Sequence, residues 1–472
     1  MSEAAIPYYW RSVDWVKLER DFPPPPNYTG FAGRRSADEL RAFQNTLFMA
    51  RIAEGWRTPF YQKLWGGAGL EAGDVRSLDD IAKLPCFTSD DLKQAALDSP
   101  PFGSQTPPHL IVPGPMKIQT SGGTTGMPRI TPFDPIAWEI QAIQAARGLY
   151  AQGMRPGDVV QILFTTALSN GGWSVNQAAL NWLGCTSVTS GSGVITPSER
   201  QLELALALGT NVWFGTAEYL GRLAEVAAKI GFPLRSLPTK FLTGIIGTDT
   251  DGLVRQRLEE AWGAPFYDIW GTHEHGYVAF ECPHKTGKHV SEDTCYLEIV
   301  DLDDGSLLGF GEEGNIVATA LARSVPLFIR YNLRDRMKLF DRTPCACGLD
   351  TQTLSLFLGR SDEMVKLRGT NVYPMACLSV VSRDDRITDD YICVVYSVGE
   401  GLGVRDEMTI RVERKSVDWD KAELSEELAE VFRQALGVKV AVEIHEAGDL
   451  AEQTRLGAEG KPRRLMDLRK SA

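Results

Sequence analysis

The sequence predicts an α/β protein: a large N-terminal domain of mostly parallel sheets and helices over residues 1–361, and a small C-terminal α+β domain over residues 362–472. Three observations carry this. At 472 residues the chain exceeds one ordinary compact core. Between about residues 110 and 300, short β-rich runs alternate with helical stretches, as βαβ units do. Beyond about residue 362 the pattern changes to strands around one long amphipathic helix.

In chain order, residues 1–100 read as helical, with Pro23–Pro26 as a stiff extended connector. SADELRAFQNTLFMARIAEGW suits a helix capped at Ser36. DVVQILF, TNVWFGT, KFLTGIIG and APFYDIW then read as strands, separated by helical stretches such as AEYLGRLAEVAAKIG and DGLVRQRLEEAW. LEIVDLDDG and GNIVATAL add further strands, the first ending in an Asp-Gly turn. A boundary falls near Gly359–Asp362. In the small domain, DYICVVYSV, MTIRVERK and VKVAVEIH read as strands. Its helix places Leu424, Leu428, Val431, Phe432 and Leu436 on one face and stops at Gly437.

With 43% hydrophobic and 23% charged residues, the composition is that of a globular enzyme, and the formal charge of −12 argues against a general nucleic-acid binder. No apolar stretch approaches the ~20 residues that span a bilayer. MSEAAIPYYWRSVDW lacks the basic and apolar regions of a secretory signal, so a cytoplasmic location is expected, without membrane or nucleic-acid partners. The eight cysteines are then expected to be reduced, most of them as small buried residues.

The sharpest local signal is Thr120-Ser121-Gly122-Gly123-Thr124-Thr125-Gly126-Met127-Pro128. Glycines let the backbone turn and aim N–H groups at an anion, and the hydroxyls add donors. The pattern is not a Walker A loop, because no Gly-Lys-Ser/Thr ends it. The plain alternative is a flexible polar loop. The segment resembles the phosphate loop of the adenylate-forming superfamily, Ser/Thr-Ser-Gly-Thr-Thr-Gly-Lys-Pro. Gly122 stands for the usual second serine and Met127 for the usual lysine, and Arg129 is near enough in sequence to compensate for the lost charge.

Further segments extend the resemblance. Tyr267-Asp268-Ile269-Trp270-Gly271-Thr272-His273-Glu274 is similar to the family's Tyr-Gly-x-Thr/Ser-Glu, which implies Trp270 packed on adenine and Glu274 as a ligand of Mg²⁺. A hard oxygen ligand suits that ion. Gly247-Thr248-Asp249 stands where relatives have a loop against adenine. Arg330-Tyr331-Asn332-Leu333-Arg334-Asp335 resembles the segment whose Asp takes the ribose hydroxyls, and a carboxylate suits a vicinal diol. Each segment alone reads equally well as a strand end or a surface salt-bridge cluster.

Residues 359–374, GRSDEMVKLRGTNVYP, are the nearest match, similar to the Gly-Arg-Ser-Asp-Asp-Met…Arg-Gly-Val-Asn-Val-Phe-Pro of phenylacetate–CoA ligases. The resemblance implies nucleotide contact by Arg360 and a domain pivot at Asp362, making the small domain a mobile lid. Glu459-Gly460-Lys461-Pro462-Arg463-Arg464 is similar to Gly-Lys-x-x-Arg, which implies that Lys461 stabilises charge on the reacting groups. The resemblance thus implies ATP binding by Ser121, Gly122, Gly123, Thr124, Thr125, Gly126, Gly247, Thr248, Asp249, Asp268, Trp270, Gly271, Thr272, Asp335, Arg360 and Lys366, with Glu274 and Lys461 catalytic.

Cys282-x₆-His289 and Cys345-x-Cys347 supply three sulfurs and an imidazole, a tetrahedral Zn²⁺ set that would be structural, with His284 as a rival ligand. Reduced cysteines in loops are the alternative. The family resemblance spans residues from about 80 to the C-terminus. It implies an AMP-forming ligase that joins a carboxylic acid to coenzyme A through an acyl-adenylate. Phe164, Thr166, Ser169, Asn170, Trp173 and His273 are expected at the acid. The polar Thr166, Ser169 and Asn170 suggest an aromatic acid with a polar substituent or second carboxylate. Transfer to a carrier protein or an amine, and a non-catalytic relative, are the alternatives. A monomer or homodimer is expected.

Overall fold

The computed structural model describes residues 7–32, 35–111, 114–120, 129–367, 370–398, 405–456 and 462–471. Of the expected site, Ser121, Gly122, Gly123, Thr124, Thr125, Gly126 and Lys461 lie outside the described residues.

The N-terminal region is helical. Ser36 caps the helix Ala37–Gly55, accepting from Glu39 N while Glu39 accepts from Ser36 N, a reciprocal box that fixes the first turn. Phe48 and Ile52 on its inner face, with Tyr61 and Trp65 of the following helix, pack into the core beneath the antiparallel part of the main sheet. The Pro23–Pro26 run departs from the extended connector expected of it. Pro23 and Pro25 are buried, the chain turns at Pro25–Pro26, and the Pro23 carbonyl accepts from Arg147 Nε at 3.1 Å. Burial against Arg147 and Tyr28, rather than proline stiffness, shapes the segment.

A hairpin precedes the main sheet: β1 (Lys117–Thr120) pairs antiparallel with β2 (Ile130–Phe133), across the glycine-rich segment. The main sheet then takes β3 (Val159–Ile162), β4 (Thr186–Val188), β5 (Val212–Thr216), β6 (Phe241–Ile245), β7 (Phe266–Thr272), β8 (Gly276–Glu281), β9 (Lys288–Val290), β10 (Cys295–Val300), β11 (Glu313–Ala320), β12 (Tyr331–Pro344) and β13 (Asp350–Leu354). Its order is β10-β11-β12-β13-β9-β8-β7-β6-β5-β3-β4. From β4 to β7 neighbours run parallel, as the alternation with helices requires; from β7 to β10 they run antiparallel. The parallel strands are apolar along their length because helices cover both faces.

β3 lies between β4 and β5, so chain direction along the sheet reverses there. In such sheets ligands bind beyond the carboxyl ends of the strands at the reversal. Three expected site segments leave those ends: Phe164–Trp173 after β3, Gly247–Asp249 after β6, and Trp270–Glu274 at the end of β7.

In the small domain, β14 (Val365–Leu367) and β15 (Thr370–Val372) form a hairpin. β16 (Ile387–Val398), β17 (Arg405–Arg414), β18 (Ala441–Glu446) and β19 (Leu465–Asp467) form a sheet in the order β18-β17-β16-β19. Leu424, Leu428 and Phe432 of the helix Lys421–Leu436 are buried on it, and Gly437 ends the helix at φ 70°. Val431 is 45% exposed, contrary to its expected place on this face. The buried arc centres on positions 424, 428, 432 and 436 with Ala429 beside them, which puts 431 at its edge.

Candidate active site

Asp335 stands at the seam between the domains. Its carboxylate accepts from Trp270 Nε1 at 3.0 Å and from Arg360 Nη1 at 2.9 Å, and Arg360 also grips both oxygens of Asp362 at 2.9 and 2.8 Å. One guanidinium therefore ties the expected ribose ligand to the expected pivot. Burial opposes the charge on Arg360, but Asp335 and Asp362 outweigh it and raise its pKa further. The segment before Asp335 is braced: Arg330, buried, holds Glu298 through two bonds of 2.9 and 3.0 Å, and Arg330 and Arg334 both adopt positive φ. This is a supported bend, not a surface salt-bridge cluster.

Beyond β7, the Glu274 carboxylate pairs with Arg129, directly after the glycine-rich segment. Burial pushes Glu274 upward, but the Arg129 charge prevails and holds it at about 2. It stays ionised at neutral pH and is a suitable hard ligand for Mg²⁺. Arg323, absent from the sequence expectations, donates to the carbonyls of Glu274 at 3.0 Å and Pro132 at 2.9 Å, and so locks β2 to the end of β7. His273 Nε2 meets Thr131 Oγ1 at 2.8 Å, and burial lowers both His273 and His275 to about 4, leaving them neutral. Gly271 has no room for a side chain, since a Cβ would lie 2.3 Å from the Gly276 carbonyl.

Other expected residues are placed differently. Asp268 is buried, accepting from Ile246 N at 3.0 Å and pairing with Lys288 at 2.8 Å. Asp249 caps the helix Leu253–Trp262, accepting from the N–H groups of Val254 and Arg255 at 3.0 Å. Thr272 Oγ1 meets His275 Nδ1 at 3.1 Å. Gly247 and Thr248 face the small domain, where Thr248 Oγ1 donates to the Met375 carbonyl at 2.7 Å. Lys366 is exposed on β14. Near the expected acid site, Phe164 packs on Phe214 in the core at 4.9 Å. Thr166 is half-buried, Ser169 exposed and Asn170 buried. The Trp173 indole donates to the Ala167 carbonyl at 3.1 Å.

The two segments expected to hold zinc meet. One donor atom from each of Cys282, His289, Cys345 and Cys347 lies within 4.8 Å of the others. His289 directs Nε2 toward Cys347 Sγ at 3.5 Å while Nδ1 meets Thr351 Oγ1 at 3.0 Å, the outer contact that fixes the ring of a metal-binding histidine. Gly348 N–H donates to the Cys345 carbonyl at 2.9 Å in the tight turn that aims both sulfurs inward. His284 is not in the cluster.

The AMP-binding enzyme C-terminal domain family matches residues 369–469. The whole chain is similar to the phenylacetate–coenzyme A ligase of Aromatoleum evansii, 28% identical over 447 residues that cover 92% of this chain and 96% of the relative. The chain belongs to the adenylate-forming superfamily. Among adenylate-forming structures, it resembles 2-hydroxyisobutyryl-CoA ligase in the postadenylation state with R3-HIB-AMP, at 24% identity and TM-score 0.80 over 93% of this chain and 92% of that one. Against the same ligase with 2-HIB-AMP and CoA in the thioesterification state, the TM-score is 0.66 at 25% identity, over 92% of this chain and 91% of that one. The domain arrangement is therefore nearer the first. Contacts that hold it include Arg383–Asp251 at 2.6 Å, Arg257–Asp385 at 3.2 Å and Arg464–Glu218 at 3.9 Å. Among the described residues, no helix of this adenylate-forming chain is long and apolar enough to cross a membrane.

Proposed function

We propose that the protein is an ATP-dependent carboxylate–CoA ligase that releases AMP and pyrophosphate, acting on an aromatic acid with a polar substituent. The observation that carries this is the chain Trp270–Asp335–Arg360–Asp362, which joins the carboxylate proposed to bind the ribose diol and the residue proposed as the domain pivot in one hydrogen-bonded unit. Relatives that join phenylacetate to coenzyme A support the thiol acceptor and the ring acid.

In the first half-reaction a carboxylate oxygen of the acid attacks the α-phosphorus of ATP, and the bond to the bridging oxygen breaks, releasing pyrophosphate. Asp335 holds the ribose hydroxyls, with Trp270 and Arg360 fixing its orientation. Glu274 would hold Mg²⁺, which when bound would neutralise phosphate charge. Glycine-rich N–H groups and Lys461 stabilise the oxygens that gain charge. The small domain then rotates about Asp362. The CoA thiol adds to the acyl carbon, AMP leaves and the thiol proton passes to solvent. Catalysis is positioning and charge stabilisation, and no side-chain nucleophile is required.

The cysteine–histidine cluster supports a structural zinc, with Cys282, His289, Cys345 and Cys347 as a closed set pinning β9 and the turn Cys282–Lys285 to the loop after β12. Pyrophosphate release across a panel of aryl and alkyl acids, with and without CoA, tests the ligase reading. Acid-dependent release and a CoA thioester product are expected. Release that CoA leaves unchanged, with no thioester, refutes the thiol acceptor in favour of a carrier protein or an amine.

A further inference from the structure

β1 and β2 face the expected acid site with one shared surface. Lys117 pairs opposite Phe133, and Gln119 opposite Thr131. Directly opposed residues in an antiparallel pair project to the same side, as do residues two apart, so these four share a face. That face meets the other residues expected at the acid. Thr131 binds His273, and Phe133 packs on His273 at 6.1 Å and on Trp138 at 5.7 Å. Lys117 Nζ lies 4.1 Å from the Trp173 ring and 5.7 Å from that of Trp138. The Thr120 N–H, at the end of β1, donates to the Leu168 carbonyl at 2.9 Å, which ties the hairpin to the segment after β3.

Two groups of this face lack an ion-pair or hydrogen-bond partner among the described residues. Lys117 makes no ion pair among the described residues; the two indoles place its ammonium without cancelling its charge. Gln119 is fully buried, yet among the described residues neither its amide oxygen nor its nitrogen is hydrogen-bonded, and buried Asn170 Oδ1 is likewise unpartnered among them. Buried polar atoms are nearly always paired, so the unpaired amide of Gln119, two residues along β1 from Lys117 on the same face, points to a polar ligand. Arg323 covers the Phe133 ring at 3.9 Å and Trp138 is buried, so the half-buried Trp173 offers the flat wall for a ring, and the lysine excludes a cationic substituent and favours an anionic one.

We propose that this face receives the far end of the acid, and that Lys117 selects a planar ring acid bearing a second carboxylate, with Gln119 as a hydrogen-bonding floor. The proposal deepens the ligase reading and rests on it for the position of the reacting carboxylate. Lys117 is a specificity residue: it meets the substituent and takes no part in bond making.

The test compares wild type, Lys117→Met and Lys117→Arg on benzoate, phenylacetate, isophthalate, terephthalate and 2-carboxyphenylacetate. Two readouts are taken: pyrophosphate release, and acid binding followed by quenching of tryptophan fluorescence, which needs no turnover. Wild type should favour at least one dicarboxylate over its monoacid by about tenfold or more in kcat/KM, as for a charge-assisted contact in a partly buried site. In Lys117→Met that ratio should collapse through KM, and in Lys117→Arg it should be largely restored. If monoacids turn over and no dicarboxylate is preferred, or if Lys117→Met leaves the ratio intact, the proposal falls and the ligase reading stands. If no acid turns over but dicarboxylates bind more tightly in a Lys117-dependent way, the proposal stands and the ligase reading falls. If the acids neither bind nor react, both fall.

Discussion

Replacing Glu218 by Gln should slow adenylate formation and spare thioester formation. Glu218 lies in the first turn of the helix Ala217–Lys229 of the large domain, and Arg464 belongs to the small domain three residues after Lys461. Their side chains are 14% and 2% exposed and their charges 3.9 Å apart. At an effective dielectric of ~20, charges at that distance attract by about 4 kcal/mol. Arg464 is also paired with Asp390 at 2.6 Å and bonded to the Tyr391 carbonyl at 2.8 Å, so most of its charge is compensated within the small domain. The share lost in Glu218→Gln is then roughly 1–1.5 kcal/mol, equivalent to about a tenfold shift in the ratio of domain orientations. Because Arg464 keeps its own-domain partners, folding should be little affected. The assay separates the half-reactions: acid-dependent ATP–pyrophosphate exchange for the first, and CoA consumption from supplied acyl-adenylate for the second. Exchange should fall up to about tenfold while the second step holds or quickens. An equal fall in both steps, or no change in either, refutes the claim that this pair favours the described domain arrangement over the one in which the thioester forms.

Asp335→Asn should lower kcat/KM for ATP by about 10–100-fold with little change in melting temperature, because the carboxylate that meets Arg360, and is proposed to meet the ribose diol, becomes neutral; unchanged ATP dependence in a pyrophosphate assay would remove Asp335 from the proposed ribose site. Elemental analysis should find about one zinc per chain, lost in Cys345→Ser and His289→Ala and kept in His284→Ala; metal-free protein purified without chelator refutes the site. Burial, only partly offset by Arg342 3.9 Å away, raises Glu292 from 4.5 to about 7. Its contribution to stability is full below pH 4.5 and is lost as pH rises through 7, about 3 kcal/mol in all. Glu292→Gln should remove that loss in urea melts between pH 5 and 8.5; parallel pH curves for mutant and wild type would refute the assignment.

What could be read in the sequence was local. Ser36 and Glu39 mark the start of a helix because both halves of the capping box lie within four residues, and β3, β5, β6 and β7 show as apolar runs because both faces are buried. The resemblance singled out Glu274, Asp335, Arg360 and Asp362, the last three of which the structure links by hydrogen bonds, and chemistry singled out Cys282, His289, Cys345 and Cys347, which it gathers. Pairings between distant segments were not. Nothing in the order of residues joins Arg129 to Glu274, 145 positions on, or Arg323 to the Glu274 carbonyl. Lys117 and Gln119 look like any alternating strand residues until the register with β2 turns both toward Thr131 and Phe133. Asp249 and Asp268 read as nucleotide ligands because they stand next to motif residues, yet their oxygens serve a helix end and a buried lysine. Adjacency in a motif does not determine which side of a strand end a carboxylate takes.

The charges around the site also bear on why the expected catalytic lysine belongs to the moving part. The described cations Arg129 and Arg360 face the carboxylates of Glu274, Asp335 and Asp362, while Arg323 bonds only carbonyls, and burial lowers it to about 9. These three positive and three negative described groups balance, and so bring no surplus of their own to a triphosphate. His273 and His275, held neutral, add none. In the proposed reaction the missing positive charge has to arrive with the metal and with Lys461. That arrangement has an advantage in the second half-reaction. Once pyrophosphate has left, a fixed surplus of buried cations would lack a counter-ion, and an uncompensated buried charge is strongly destabilising. On the proposed reading, Glu274 would hold the metal while the triphosphate is bound, and a lysine carried on a hinged domain would let the positive charge be withdrawn before the thiol enters. Arg360 is already neutralised by Asp335 and Asp362 in the described arrangement, which suits a residue beside the proposed pivot.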